Sequence, residues 1–307
     1  KTLLNASIQK LSVSEVQWWH QWYTQHAREK KQNKALSNLP IFNQANIKIN
    51  HLLLQGHDLG VSQFIADQKT NGWSLKVISD SALGEAFVPT ATQLHPIRLH
   101  FLFLSLPNLK KNPPMKRAFS LSDLSSFQFH CDECHFAGKS WGDILINANK
   151  KKTHLKINDF RIISPYFSLK ATGDWLQGNN QQETIFTGLV SNKDLGAALR
   201  YYELTDRLIG GRGSALFSLH WAGSPFDLDR QRIIGNTALS YRYGRFLQLS
   251  SDAQSALYLG KAINLLSVPS LTKNILTGFS HIQKKGFSFN ALDGHFSFLK
   301  GRISVSK

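Results

Sequence analysis

Phe217-Ser-Leu-His-Trp221, Leu239-Ser-Tyr-Arg-Tyr243, Phe287-Ser-Phe289 and Phe296-Ser-Phe298 decide how this chain folds. Apolar residues stand at every second position, and side chains two apart on a strand share a face. Ser218, His220, Ser240, Arg242, Ser288 and Ser297 fill the positions between them. The pattern predicts a mainly β protein whose antiparallel sheet has one apolar and one wet surface. Carried along the chain, alternation assigns to the apolar surface Ile47, Ile49, Leu102, Leu104, Leu155, Ile157, Phe167 and Leu169. To these it adds Phe217, Leu219, Trp221, Leu239, Tyr241, Phe287, Phe289, Phe296 and Phe298. What covers that surface becomes the functional question.

Upstream, the signals divide the chain in three. Residues 1–40 read as a strand followed by an amphipathic helix, joining to repeats upstream. Ser12 and Glu15 fit a capping box, and Val16, Trp19, Trp22 and Tyr23 follow at helical spacing, predicting a helix near 13–31. Residues 41–192 hold two related β segments. Ile47, Ile49, Leu52 and Leu54 lead into Gly56 and Gly60; Phe129, Cys131, Cys134 and Phe136 lead into Gly138 and Gly142. Each glycine of the second copy follows its counterpart by the same 82 residues. Segments repeated in this way stack end to end into an elongated body. Between the copies, Ile97–Leu106 is apolar at nearly every position and reads as a strand buried on both faces. Asn112-Pro-Pro114 then breaks the chain in a loop. Residues 193–307 form a last β segment with short helices at Asp194–Leu204 and Ala253–Leu266.

Charge narrows the partners without choosing one. Lys plus Arg number 36 against 20 Asp plus Glu, a formal +16. Such a balance suits anionic partners: nucleic acid, a phospholipid surface or lipopolysaccharide. The lysines cluster at turns (Lys110, Lys111, Lys116 with Arg117, and Lys150–Lys152), and the aromatics alternate with small polar residues. Single-strand nucleic-acid platforms interleave the two, so nucleic acid is disfavoured. No apolar run of about 18 residues could span a bilayer as a helix. The opening Lys-Thr-Leu-Leu-Asn reads as the start of a piece cut from a longer protein.

Gly210-Gly-Arg-Gly213, Leu219-His-Trp-Ala-Gly-Ser-Pro225, Gly235, Gly244-Arg-Phe-Leu247, Ala262–Pro269, and Lys285-Gly-Phe-Ser-Phe289 with Asp293-Gly294 carry a resemblance. In that order they are similar to the C-terminal region of the YhdP type, large members of the AsmA-like family of Gram-negative envelope proteins. The resemblance runs from Ile41 to Lys307 and is strongest over 188–300. It implies an elongated, twisted antiparallel sheet, curled into an open apolar groove of repeating segments, with a few short helices. It also implies a periplasmic protein tethered to the inner membrane by an N-terminal helix lying outside this chain. The implied function is non-enzymatic phospholipid transfer between inner and outer membranes. Acyl chains would occupy the groove, membrane surfaces would meet the ends of the whole protein, and envelope proteins are further partners. The alternative is a closed β-sandwich, a scaffold contacting anionic envelope partners through its basic face.

The residues give no active site, and no cofactor is expected. Gly210-Gly-Arg-Gly213 lacks the Lys-Ser/Thr of a phosphate loop, and the twelve His show no metal-ligand spacing. Asp227 and Asp229 alone do not make a glycosidase. His130-Cys131-Asp-Glu-Cys134-His135 contains the haem-attachment string Cys-x-x-Cys-His. It falls in a strand-like segment, which favours a local disulfide between Cys131 and Cys134 if a bulge brings the sulfurs together. Haem, zinc held with His130 and His135, and buried thiols are the other readings.

Overall fold

The structure, a computed structural model, describes residues 2–12, 42–54, 56–92, 94–108, 121, 124–178, 181–225, 231–247, 286–299 and 302–306. The helices expected near 13–31 and at Ala253–Leu266, and the Asn112-Pro-Pro114 loop, lie outside them. By internal contacts the chain divides into an N-terminal unit, Lys1–Lys116 with Ser125–Ile144, and a C-terminal unit, Arg117–Leu124 with Leu145–Lys307.

The N-terminal unit contains β1 (Leu3–Ser12), β2 (Gln44–Leu54), β3 (His57–Asp58), β4 (Ser62–Lys69), β5 (Gly72–Ser79), β6 (Ala82–Pro89), β7 (Ile97–Leu106), β8 (Phe127–Phe136) and the first half of β9 (Lys139–Lys150). The C-terminal unit takes the second half of β9, then β10 (His154–Ile163), β11 (Ser168–Gln177), β12 (Gln182–Asn192), a helix α1 (Leu195–Tyr201), β13 (Leu208–Ala222), β14 (Ile234–Phe246), β15 (Phe287–Leu299) and β16 (Arg302–Ser306). The strands form one 16-stranded sheet in chain order, with β3 beside β2 off the main path.

The sheet is mixed, where alternation had predicted antiparallel pairing throughout. β1 pairs β2, and β7 pairs β8, in parallel. Alternation reports faces and is blind to direction. A tight turn reverses a strand, whereas the longer connections after β1 and β7 let the chain re-enter from the same end. The two strands that follow these parallel joins, β2 and β8, are the ones that begin the two echoing segments. Their glycines match in conformation as well: Gly56 and Gly138 have φ of 85° and 74°, Gly60 and Gly142 of 77° and 70°.

The described helix is Leu195–Tyr201 alone, inside the range expected. Asp194 caps it, its side chain accepting from the Ala197 N–H at 2.8 Å. Leu195 and Leu199 pack on a buried cluster of Leu208, Tyr241, Phe289 and Leu292 in the C-terminal unit.

Candidate functional site: the apolar face

Strand register shows which side chains share a face, because residues paired across a ladder point the same way. In the N-terminal unit Ile47 stands opposite Phe64, Phe64 opposite Val77, Val77 opposite Gly84, and Gly84 opposite Phe101. Ala6 and Ile8 extend this face on β1, and Phe129 and Cys131 on β8. Lys48, Gln63, Glu85 and His100 lie on the other face. In the C-terminal unit the row runs Leu155–Trp175–Thr184–Trp221, with Leu169–Val190–Ala215–Leu239 beside it. Phe217, Leu219, Tyr241, Leu292, Phe296 and Phe298 complete that face.

The wet face of the C-terminal unit is laced by polar pairs. His220 meets Glu183 at 2.7 Å, Arg242 meets Asp293 at 2.9 Å, and Ser297 donates to Asn236 at 2.8 Å. The Asp293 carboxyl titrates below its ordinary value, chiefly through the hydrogen bond from Arg242 and then that from Ser240. Burial pushes the Tyr241 phenol upward; its hydroxyl donates to Asn192 Oδ1 at 2.9 Å.

The structure breaks strict alternation at definite places. Register slips between Ile157 and Phe160 on β10, so Leu155, Ile157, Phe160 and Ile162 stay together. Around Gly210 and Gly211, Tyr243, and the Phe289–Leu292 step, three neighbouring strands change phase at one level. The two glycines have φ of 67° and 87°, and Tyr243 has 57°. Leu208, Phe246, Phe287 and Phe289 thereby join Ala215, Leu239 and Leu292 in one cluster, although odd spacings separate the two groups in sequence. Phe287 and Phe289 consequently share a side with Phe296 and Phe298.

On β7 the same device separates two candidates. Register against β6 slips between Leu83 and Gly84, leaving Leu102 as the extra residue. Leu104 stays with the apolar row opposite Cys134, while Leu102 is 52% exposed. Ile97–Leu106 is therefore not buried on both faces as its composition suggested: Arg98 is exposed too. On β8 the interruption falls at Asp132 and Glu133, both exposed. Cys131 and Cys134 return to one face, fully buried, and are joined by a disulfide with their Cα atoms 5.9 Å apart.

The candidate residues differ in availability. Ile49, Leu155, Ile157, Trp221, Tyr241 and Phe289 are buried. Trp221 donates its indole N–H to the Ser224 carbonyl at 2.9 Å, and its ring stacks on Phe186 at 5.9 Å. Ile47, Leu104, Leu169, Phe217, Leu219, Leu239, Phe287, Phe296 and Phe298 are half-buried, with apolar surface still to cover. Phe167 precedes β11 and packs edge-on against Tyr202 instead. Alternation missed Phe64, Val77, Phe101, Trp175 and Phe186, which share the face. Phe64, Val77 and Phe101 sit two residues from Ala66, Leu75 and Leu99, the same signal in shorter runs, whereas Trp175 and Phe186 have only Gly, Gln or Thr at that spacing and carry no such signal.

Of the basic turns, Lys151 and Lys152 are exposed between β9 and β10, while Lys150 turns its amine back to the carbonyls of Leu121 and Leu124. No described helix is long and apolar enough to cross a membrane.

The family model described as YhdP protein matches residues 1–307. The intermembrane phospholipid transporter YhdP of Escherichia coli (strain K12) is 22% identical over 165 residues, 54% of this chain. That match covers 13% of the relative's length. No solved structure matches.

Proposed function

Since the chain belongs to the YhdP family, we propose that it is one segment of a hydrophobic β-groove along which phospholipid moves between the inner and outer membranes. The observation that carries this reading is the row of half-buried apolar side chains held on one face through successive phase breaks. A face of that kind must be covered by another layer or by a ligand. Acyl chains fit it, each buried methylene contributing about 0.8 kcal/mol, while headgroups stay at the wet edge. Such passage asks for no bond chemistry, so the segment is not an enzyme. Residues 41–192 and 193–307 act as successive stretches of the path, in the periplasm, with an inner-membrane anchor and the membrane-contacting ends belonging to the whole protein. The relative's role as a phospholipid transporter supports lipid as the cargo.

The test is mass spectrometry of organic extracts from the full-length protein purified without detergent. Phospholipid should co-purify with the unaltered protein and be lost in F217D and L239D, with circular dichroism unchanged. A folded protein that carries no lipid, or an F217D variant that keeps it, would sink the reading in favour of a sealed scaffold.

A further inference from the structure

The wet face of the N-terminal unit holds a cluster that lipid passage leaves unused. His100 and His130 stand opposite each other in the parallel β7–β8 ladder. Their rings are stacked, centroids 5.0 Å apart and planes within 7°. Both Nε2 atoms point at one carboxylate: Asp132 Oδ1 lies 3.1 Å from His100 Nε2 and 3.3 Å from His130 Nε2. Asp143 Oδ2 lies 2.8 Å from His130 Nε2.

We propose that His100, His130 and Asp132 bind one divalent transition-metal cation, zinc by the character of the donors. Two imidazole nitrogens and a carboxylate oxygen are a common zinc set, with bonds of about 2.0–2.1 Å. A tetrahedron of such bonds has donor–donor edges of about 3.3 Å, which the two His–Asp distances already match. The three ligand atoms lie within 4.8 Å of one another, so small side-chain rotations seat an ion between them. Access is open, the side chains being 41–43% exposed. When the ion takes His130 Nε2, the Asp143 contact gives way, and its carboxylate is placed to accept from water at the fourth position. Asp132 stands two residues from His130 on the same strand, directly beside the disulfide-bonded Cys131. The consequence is mechanical: an ion bridging β7 and β8 clips together a parallel pair that no hairpin joins.

The test is titration of the 307-residue chain with Co²⁺ near neutral pH, followed by visible absorption, with Zn²⁺ as competitor. One Co²⁺ per chain should bind, give the intense d–d bands of a tetrahedral site, and be displaced by Zn²⁺. H100A and D132N should each weaken binding more than about tenfold, with the far-ultraviolet spectrum retained. H220A, whose imidazole pairs with Glu183 in the C-terminal unit, should leave it unchanged. Absence of saturable binding by the unaltered chain overturns the proposal whatever the variants do. Binding indifferent to both H100A and D132N overturns it as well.

Discussion

The two units solve the problem of a one-faced sheet differently. In the C-terminal unit much of the apolar face is closed over: Trp175 is fully buried, and Leu208, Tyr241, Phe289 and Leu292 form a core with α1 packed on it. In the N-terminal unit the deeply buried apolar residues of that face are few, Ile49 and the bonded Cys131 and Cys134 among them, while Phe64, Val77 and Phe101 remain half-buried. Buried core is therefore concentrated in the C-terminal unit, while both units keep half-buried apolar surface that a ligand could still cover. The same alternating pattern writes both. A helix of seven residues and a phase break at Gly210-Gly211 build the Leu208 cluster.

Truncation should expose that asymmetry most strongly. W175A removes a fully buried side chain and should cost about 3–5 kcal/mol. F101A removes one that is half-exposed and should cost roughly 1–2 kcal/mol. Urea denaturation of both variants measures the gap; equal losses would mean that the N-terminal face is a closed core. Next come the matched glycines. Gly56 and Gly138 have positive φ and open space where a Cβ would stand, so alanine meets backbone strain alone. G56A and G138A should each cost about 1 kcal/mol. A cost at one turn without the other would break the equivalence of the two copies.

The smallest effect is electrostatic. Asp293 is lowered by Arg242 first and Ser240 second, and Asp58 in the other unit by His51 first and the Gly60 N–H second. A carboxyl lowered on folding adds stability above its unfolded pKa and loses it as pH falls through the folded value. Any contribution from Asp293 is thus complete at neutral pH and disappears only in acid. In a carboxyl-carbon NMR titration, R242Q should raise the Asp293 pKa and leave Asp58 in place. A shift at both would show that the two ion pairs are not independent.

Much of this architecture is legible in the residues. Period-two alternation gives the strands and their faces, the 82-residue echo gives β2 and β8, and Asp194 marks the start of α1. The phase breaks left a fainter trace: Ile157/Phe160, Phe289/Leu292, Phe101/Leu104 and Cys131/Cys134 each stand three apart inside an alternating run. An odd step of that kind means that a bulge must re-aim the strand, or that one of the pair must leave the face. Leu102, read by alternation alone, fell on the wrong side of such a step.

Composition and periodicity by themselves determined that this is a sheet protein with one greasy face, because burying apolar area is a local demand that every strand records in its own sequence. Strand direction, and with it the company each residue keeps, was decided only by the tertiary structure. His100 lies 30 residues from His130 and outside the His130–His135 motif, and the two meet because β7 and β8 run parallel. Pairing between strands is a long-range choice, set by where the chain re-enters the sheet, and no local pattern encodes it.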